Sequence, residues 1–205
     1  MPCVRVLVVD DHPTVLMGLR ALIDGEPDFE LVDAVGSAHA ALAVAKREPV
    51  DVAVVDYQLG ERNGLWLSHK LKRLSHPPGV LIHSAYSDGM LVAAAVVAEA
   101  DAVLSKSELA SELCEAIRAV ARGSRPLPPL PARVAELVRV TLDPEEQAIF
   151  GMLHAAIPVA EVAATVGASP AVIESRRATM LRRLETIDVR GWSAGARVRH
   201  TAHDG

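Results

Sequence analysis

The chain has 205 residues and a net charge of −5; half of its residues are hydrophobic and only 3% are aromatic. That length suits one large domain or two small ones, and a charged fraction of 23% beside positive mean hydropathy excludes a disordered, collagen-like or coiled-coil chain. The longest apolar run, residues 90–98, has nine residues, about half of the ~20 that a membrane-spanning helix needs. The apolar stretch at residues 6–9 runs into Asp10 and Asp11 with no basic region before it and no cleavage site after it. It therefore does not read as a signal peptide, and the expected location is the cytoplasm. Two cysteines, Cys3 and Cys114, are too few and too far apart for a disulfide framework or a thiolate metal site. No two of the eight histidines stand at the i, i+4 spacing of a helical zinc site, so none is assigned a metal.

In chain order, apolar runs at 4–9, 52–55, 80–83 and 102–104, with a weaker one at 29–35, have the length and composition of buried parallel strands. Helical periodicity fills the gaps: Val15, Leu16, Leu19, Leu22 and Ile23; residues 40–46; Leu65, Leu67, Leu71 and Leu74; residues 90–98; then Leu109, Leu113, Ile117 and Val120. Pro13 suits a first helical turn, and Ser37, Ser87 and Ser107 suit N-caps. Five β–α units in about 120 residues predict an α/β domain with a doubly wound five-stranded parallel sheet. The residues closing the strands are polar: Asp10 and Asp11, Asp56, Ser84 and Lys106. The carboxyl ends of parallel strands share one edge, so these side chains can meet in a single crevice. Three crowded carboxylates repel unless a cation joins them, and hard oxygen ligands in an open site describe Mg²⁺. A lysine and a hydroxyl opposite them form a cradle for phosphoryl oxygens, which points to attack by a carboxylate on phosphorus.

Residues 3–121 thereby resemble the receiver domain of bacterial two-component response regulators. The matching features are Val8-Val9-Asp10-Asp11-His12, Asp56 after the third strand, Gly64 eight residues later, Ser84-Ala85 after the fourth strand, and Ala100-Asp101 followed by Lys106. The resemblance implies a flavodoxin-like fold with Asp56 as phosphoacceptor. It also implies Asp10, Asp11, Asp56 and the Gln58 carbonyl as Mg²⁺ ligands, Ser84 as the switch hydroxyl, Lys106 as the phosphate-binding lysine, and a histidine kinase as partner. Two departures stand out. Gly60 replaces a usual proline and is expected to loosen its loop. Val103 replaces the aromatic that swings when the hydroxyl moves, and Tyr86 is a candidate to supply the missing contact. A competing reading takes Asp10-x-His12-x-Thr14 as similar to the nucleophile loop of haloacid-dehalogenase-type phosphatases; there Asp10, not Asp56, would carry the phosphoryl group.

Residues 1–121 hold 10 basic and 17 acidic groups, whereas Arg176 to Arg199 hold seven basic groups against two acids. This polarity suggests two domains with different partners. Between them, residues 123–131 contain four prolines, expected to form an extended, semi-stiff spacer, with a short helix at 132–140 completing a linker over 122–141. From 142 to 205 the pattern is all-α. Asp143-Pro-Glu-Glu146 is an acidic capping box, a second helix starts at Pro158, and Ser169-Pro170 opens a third that runs to about Leu184. Ala163, Gly167 and Ile173 have helix-turn-helix spacing.

These helices resemble the output domain of NarL/LuxR-type regulators, which implies transcription regulation through double-stranded DNA, with a homodimer as one arrangement. The third helix would enter the major groove with Glu174, Ser175, Ala178 and Thr179 near bases and Arg176, Arg182 and Arg183 near phosphates. Glu174 and Ala178 stand where basic residues are usual. Arg177 stands where an apolar core residue is usual, so it is expected to snorkel or strain the packing. The family's fourth helix maps to residues 191–195. The expectation is a DNA-binding response regulator and not an enzyme; the alternative is a phosphorylated interaction switch whose helix-turn-helix no longer reads DNA.

Overall fold

The computed structural model describes residues 3–60, 62–85 and 89–187. Strand β1 (Val4–Val9) leads into helix α1 (Pro13–Asp24), β2 (Phe29–Val35), α2 (Ala38–Arg47) and β3 (Val52–Asp56). A short hairpin, β4 (Gln58–Leu59) and β5 (Arg62–Asn63), precedes α3 (Gly64–Leu71), β6 (Gly79–Ser84), α4 (Gly89–Val97), β7 (Ala102–Ser105) and α5 (Ala110–Ala121). The five long strands form one parallel sheet in the order β2-β1-β3-β6-β7. Side chains alternate across it: Val6, Val8, Val54 and Leu81 pack beneath α1 and α5, while Leu7, Val9, Val55 and Ile82 pack beneath α2, α3 and α4. The doubly wound sheet expected from the apolar runs is the one observed.

Local signals explain most helix starts. Ser37 accepts from the Ala40 N–H at 3.2 Å, and Pro13 occupies the first turn of α1. Ser107 is not a cap: its hydroxyl lies 2.7 Å from that of Ser105, and α5 instead opens at Leu109, whose N–H reaches Glu112 at 2.8 Å. Ser87 lies outside the described residues. Gly60 has φ +63°, a value that proline's ring cannot reach. It turns the hairpin in which Leu59 pairs with Arg62, so this glycine shapes the loop where loosening was expected.

The remaining helices are α6 (Ala132–Thr141), α7 (Pro144–His154), α8 (Val159–Thr165) and α9 (Pro170–Glu185). Asp143 and Glu146 form the reciprocal cap of α7, and Ser169 caps α9. Helix α8 ends in a turn through Gly167 at φ +67°. Helix α4 carries no polar face because it has none to present: every residue from Met90 to Val97 is buried, one side on the sheet and the other beneath α6, α7 and α9. A single apolar cluster therefore runs from β3 through α4 into Val134, Leu137, Ile149, Ile173, Met180 and Leu184. The proline-rich stretch lies on this cluster, with Leu127 and Leu130 packed against it and the Arg125 guanidinium donating to the Ala100 carbonyl at 3.2 Å.

Arg177 neither snorkels nor strains. Fully buried, it donates to the Val97 carbonyl at the end of α4 from Nε at 2.9 Å and from a terminal nitrogen, and pairs with Glu99 at 2.8 Å and Glu174 at 3.2 Å. Glu174 also pairs with Arg73 after α3. The two residues that depart most from the helix-turn-helix pattern are thus among those that hold α9 to the front domain, with Glu185 accepting from the Asn63 amide at 2.6 Å.

Candidate phosphoryl-transfer site

The crevice forms at the carboxyl edge of the sheet. Asp10 and Asp56, on adjacent strands, are 1% and 4% exposed, a depth at which two carboxylates need a counter-charge. Lys106, arriving from the far side of β6, supplies it: Nζ stands 2.6 Å from Asp10 Oδ2 and 2.9 Å from Asp56 Oδ2. The loop that carries Lys106 is anchored by its own N–H on the Ser84 carbonyl at 2.7 Å, and Ser84 is buried beside it. The chain turns away from Asp56 tightly. Gly64 N–H donates to the Tyr57 carbonyl at 2.8 Å, and a Cβ on Gly64 would stand 2.3 Å from the Asp56 carbonyl oxygen, so only glycine closes this loop.

Burial pushes the Asp56 carboxyl above the usual aspartate range against the opposing pull of Lys106, and the neighbouring Asp10 charge pushes the same way. The Gln58 N–H favours the ionised form. Burial opposes the charge on Lys106, yet bonds to Asp10 and Asp56 carry its ammonium above the usual lysine range. The buried part of the pocket thus sets two carboxylates, Asp10 and Asp56, against the single Lys106 ammonium.

Asp10, Asp11, His12 and Asp56 each offer a ligand atom, all within 4.8 Å of one another. Sequence spacing assigns His12 no metal, since its partners lie next to it and across the sheet rather than one helical turn away; its Nδ1 stands 2.8 Å from Asp11 and 3.2 Å from Asp10. The donor set fits a hard divalent cation: two deeply buried carboxylates and a third at the rim share only one ammonium, and oxygen predominates among the donors. Gln58 lies exposed in the hairpin, two residues beyond Asp56. Val103 is buried in β7, paired with Ile82, and Tyr86 lies outside the described residues. A polar residue in an otherwise apolar strand, His83, is buried next to Ser84; that break in pattern was the signal available in the sequence.

The residues expected to reach DNA divide into two groups. Glu174 meets Arg73 of the front domain, and both it and Ala178 are partly covered. Ser175, Arg182 and Arg183 are exposed; Arg176 pairs with Glu145 at 2.8 Å, Arg183 with Glu146 at 2.5 Å, and Thr179 accepts from Arg182 at 3.1 Å. Residues 191–195 lie outside the described residues.

Comparison with known proteins adds four findings. Residues 6–118 match the family model of the response regulator receiver domain. The chain is 30% identical over 203 residues to the transcriptional regulatory protein UhpA of Salmonella typhimurium, covering 98% of this chain and 99% of that one. Among solved structures it is similar to a LuxR-family two-component response regulator from Aurantimonas sp. SI85-9A1, at TM-score 0.60 and 28% identity over 67% of this chain and 99% of that one. The fold of the RcsB response regulator in its DNA complex also matches, at TM-score 0.60 and 20% identity, across 91% of this chain and 94% of that one.

Proposed function

Because the chain belongs to the two-component response regulators, with a receiver domain followed by helices like those of NarL/LuxR-type transcription regulators, we propose that Asp56 is its phosphoacceptor and that phosphorylation controls DNA binding by the C-terminal helices. The observation that carries this reading is Lys106 bridging Asp10 and Asp56 across the end of β6. In this reading an Asp56 oxygen forms the new O–P bond while the P–N bond to the kinase histidine breaks, and the imidazole keeps the electron pair. Lys106 faces the phosphoryl oxygens, Ser84 donates a hydrogen bond to one of them, and Asp10 holds Lys106 in place. Asp10, Asp11, Asp56 and the Gln58 carbonyl would hold Mg²⁺, which supplies positive charge to the transferring group when bound.

This pocket argues against the phosphatase alternative, because Asp10 is buried behind Lys106 while His12 stands where that chemistry needs a second carboxylate. The division into a receiver over 1–121, a linker over 122–141 and an output unit over 142–205 is part of the proposal, as are the kinase partner, a homodimer on DNA and a cytoplasmic location. No helix among the described residues is long and apolar enough to cross a membrane.

The state described here is silent toward DNA in this reading, since Glu174 pairs with Arg73 of the receiver and α9 packs on α4, which it must leave before its basic side can enter a groove. The test is labelling by acetyl phosphate with and without Mg²⁺, followed by a gel shift on genomic fragments. Labelling should need the metal, vanish in Asp56→Asn and be released by alkali and by hydroxylamine, as an acyl phosphate is, and labelled protein should bind DNA more tightly. Labelling that survives Asp56→Asn would remove Asp56 from its role.

A further inference from the structure

His83 has no part in the chemistry so far assigned, yet it lies within the pocket. It ends β6 beside Ser84, in register with Asp56 on one neighbouring strand and Leu104 on the other. The residue is 9% exposed, and among the described residues its Nδ1 has no hydrogen-bond partner. Two positions earlier on the same face stands Leu81, fully buried in the core. A leucine at 83 would fill the same space without leaving a buried nitrogen unsatisfied, an arrangement that natural cores avoid. Something other than packing therefore accounts for the imidazole.

Lys106 gives the reason. It leaves the edge strand β7, and its ammonium meets Asp56 on β3 and Asp10 on β1. In the order β1-β3-β6-β7 its stem has to cross the end of β6, where His83 stands. Burial, reinforced by the Lys106 charge, lowers the His83 pKa to about 4, so at neutral pH the ring is uncharged and carries a lone pair. Two of the three ammonium N–H groups are taken by the two carboxylates. When Asp56 carries a phosphoryl group its oxygen is no longer a full anion, so one of those two anchors weakens just when the ammonium must face the phosphoryl oxygens.

We propose that His83 is a positioning residue for Lys106, its ring nitrogen accepting from the ammonium and holding it over Asp56 as the phosphoryl group arrives and leaves. This rests on Asp56 being the acceptor. One lysine serves the transition state of transfer onto Asp56 and that of hydrolysis from it, because both develop charge on the same phosphoryl oxygens. Misplacing it should slow both.

The test uses full-length protein. Phosphorylation by acetyl phosphate with Mg²⁺ is followed to its plateau, donor is removed, and loss of label is timed for wild type, His83→Leu and His83→Asn. His83→Leu should slow gain and loss of label in parallel, each by roughly tenfold, the factor that about 1.4 kcal/mol of lost transition-state stabilisation produces. Its Mg²⁺ affinity should be unchanged and its melting temperature no lower than wild type. His83→Asn, which puts a polar atom close to the Nδ1 position, should recover most of both rates, an outcome that a packing role would not produce. In wild type the ¹⁵N resonance of His83 Nδ1 should move to a hydrogen-bonded position when beryllofluoride and Mg²⁺ are added. Equal rates in wild type and His83→Leu, or an unmoved Nδ1 resonance, would overturn the inference while leaving Asp56 as acceptor. Absence of any wild-type labelling would instead bring down the acceptor reading, and this inference with it.

Discussion

Replacing Arg177 by methionine removes the strongest polar contact between α9 and the receiver while keeping a long apolar side chain at a position where the helix-turn-helix pattern has an apolar residue. Breaking a buried ion pair on one side costs about 3–5 kcal/mol. Here Glu99 and Glu174 remain 27% and 31% exposed, and both keep Arg73 as a second partner, so solvent screening cuts the figure to about 2–3 kcal/mol. That figure includes the loss of both donors to the buried Val97 carbonyl, and the methionine returns about 1 kcal/mol of apolar contact. Docking should therefore weaken by about 1–2 kcal/mol, a factor of roughly 5–30 in the equilibrium between docked and released α9. Two assays read it: the affinity of unphosphorylated protein for its DNA, and the rate of proteolysis across residues 122–131, which docking protects through Leu127, Leu130 and Arg125. Affinity and cleavage rate should both rise, and phosphorylation should add less to each than in wild type. If Arg177→Met left both unchanged while the protein remained folded, α9 would not be held by this contact, and the account of the silent state would fail.

Acid should open the same contact late. Burial alone would raise the Glu99 pKa, but Arg177 and Arg73 hold it below the usual glutamate range. A lowered folded pKa means stability that is present above the unfolded value and lost as pH falls through the folded one. Protection of residues 122–131 should persist down to the ordinary glutamate range and fade only below it; loss near pH 6 would contradict the assignment. Gly64→Ala forces a methyl to within 2.3 Å of the Asp56 carbonyl oxygen, backbone that cannot rotate away. Melting should show a loss of about 1–3 kcal/mol together with poorer labelling, and a wild-type melting temperature would disprove the tight turn. For DNA, Arg182→Ala should reduce the slope of log affinity against log salt by about 0.9 if this exposed guanidinium meets one phosphate; an unchanged slope would place Arg182 off the backbone.

The sequence by itself determined the parts that depend on short-range pattern. Short continuous apolar runs located five strands, the period of the leucines located the helices between them, and Ser37, Asp143 and Ser169 marked helix starts by side-chain bonds that reach only three residues. The acidic and basic strand ends could be assigned to one crevice because parallel strands present their carboxyl ends on one edge. What only the tertiary structure decided involves residues far apart in the chain. Lys106 meets Asp10 across 96 positions, and Arg177 meets Val97 across 80, distances at which no periodicity carries information. Helix α4 shows the difference most plainly: its uniform apolarity fits a core helix or an interface equally, and only the packing shows its second side covered by the C-terminal helices. Arg177 and His83 each break an apolar pattern. Their places follow from three-dimensional packing, since whether a buried polar group is satisfied depends on the carbonyls and charges that other segments bring to it.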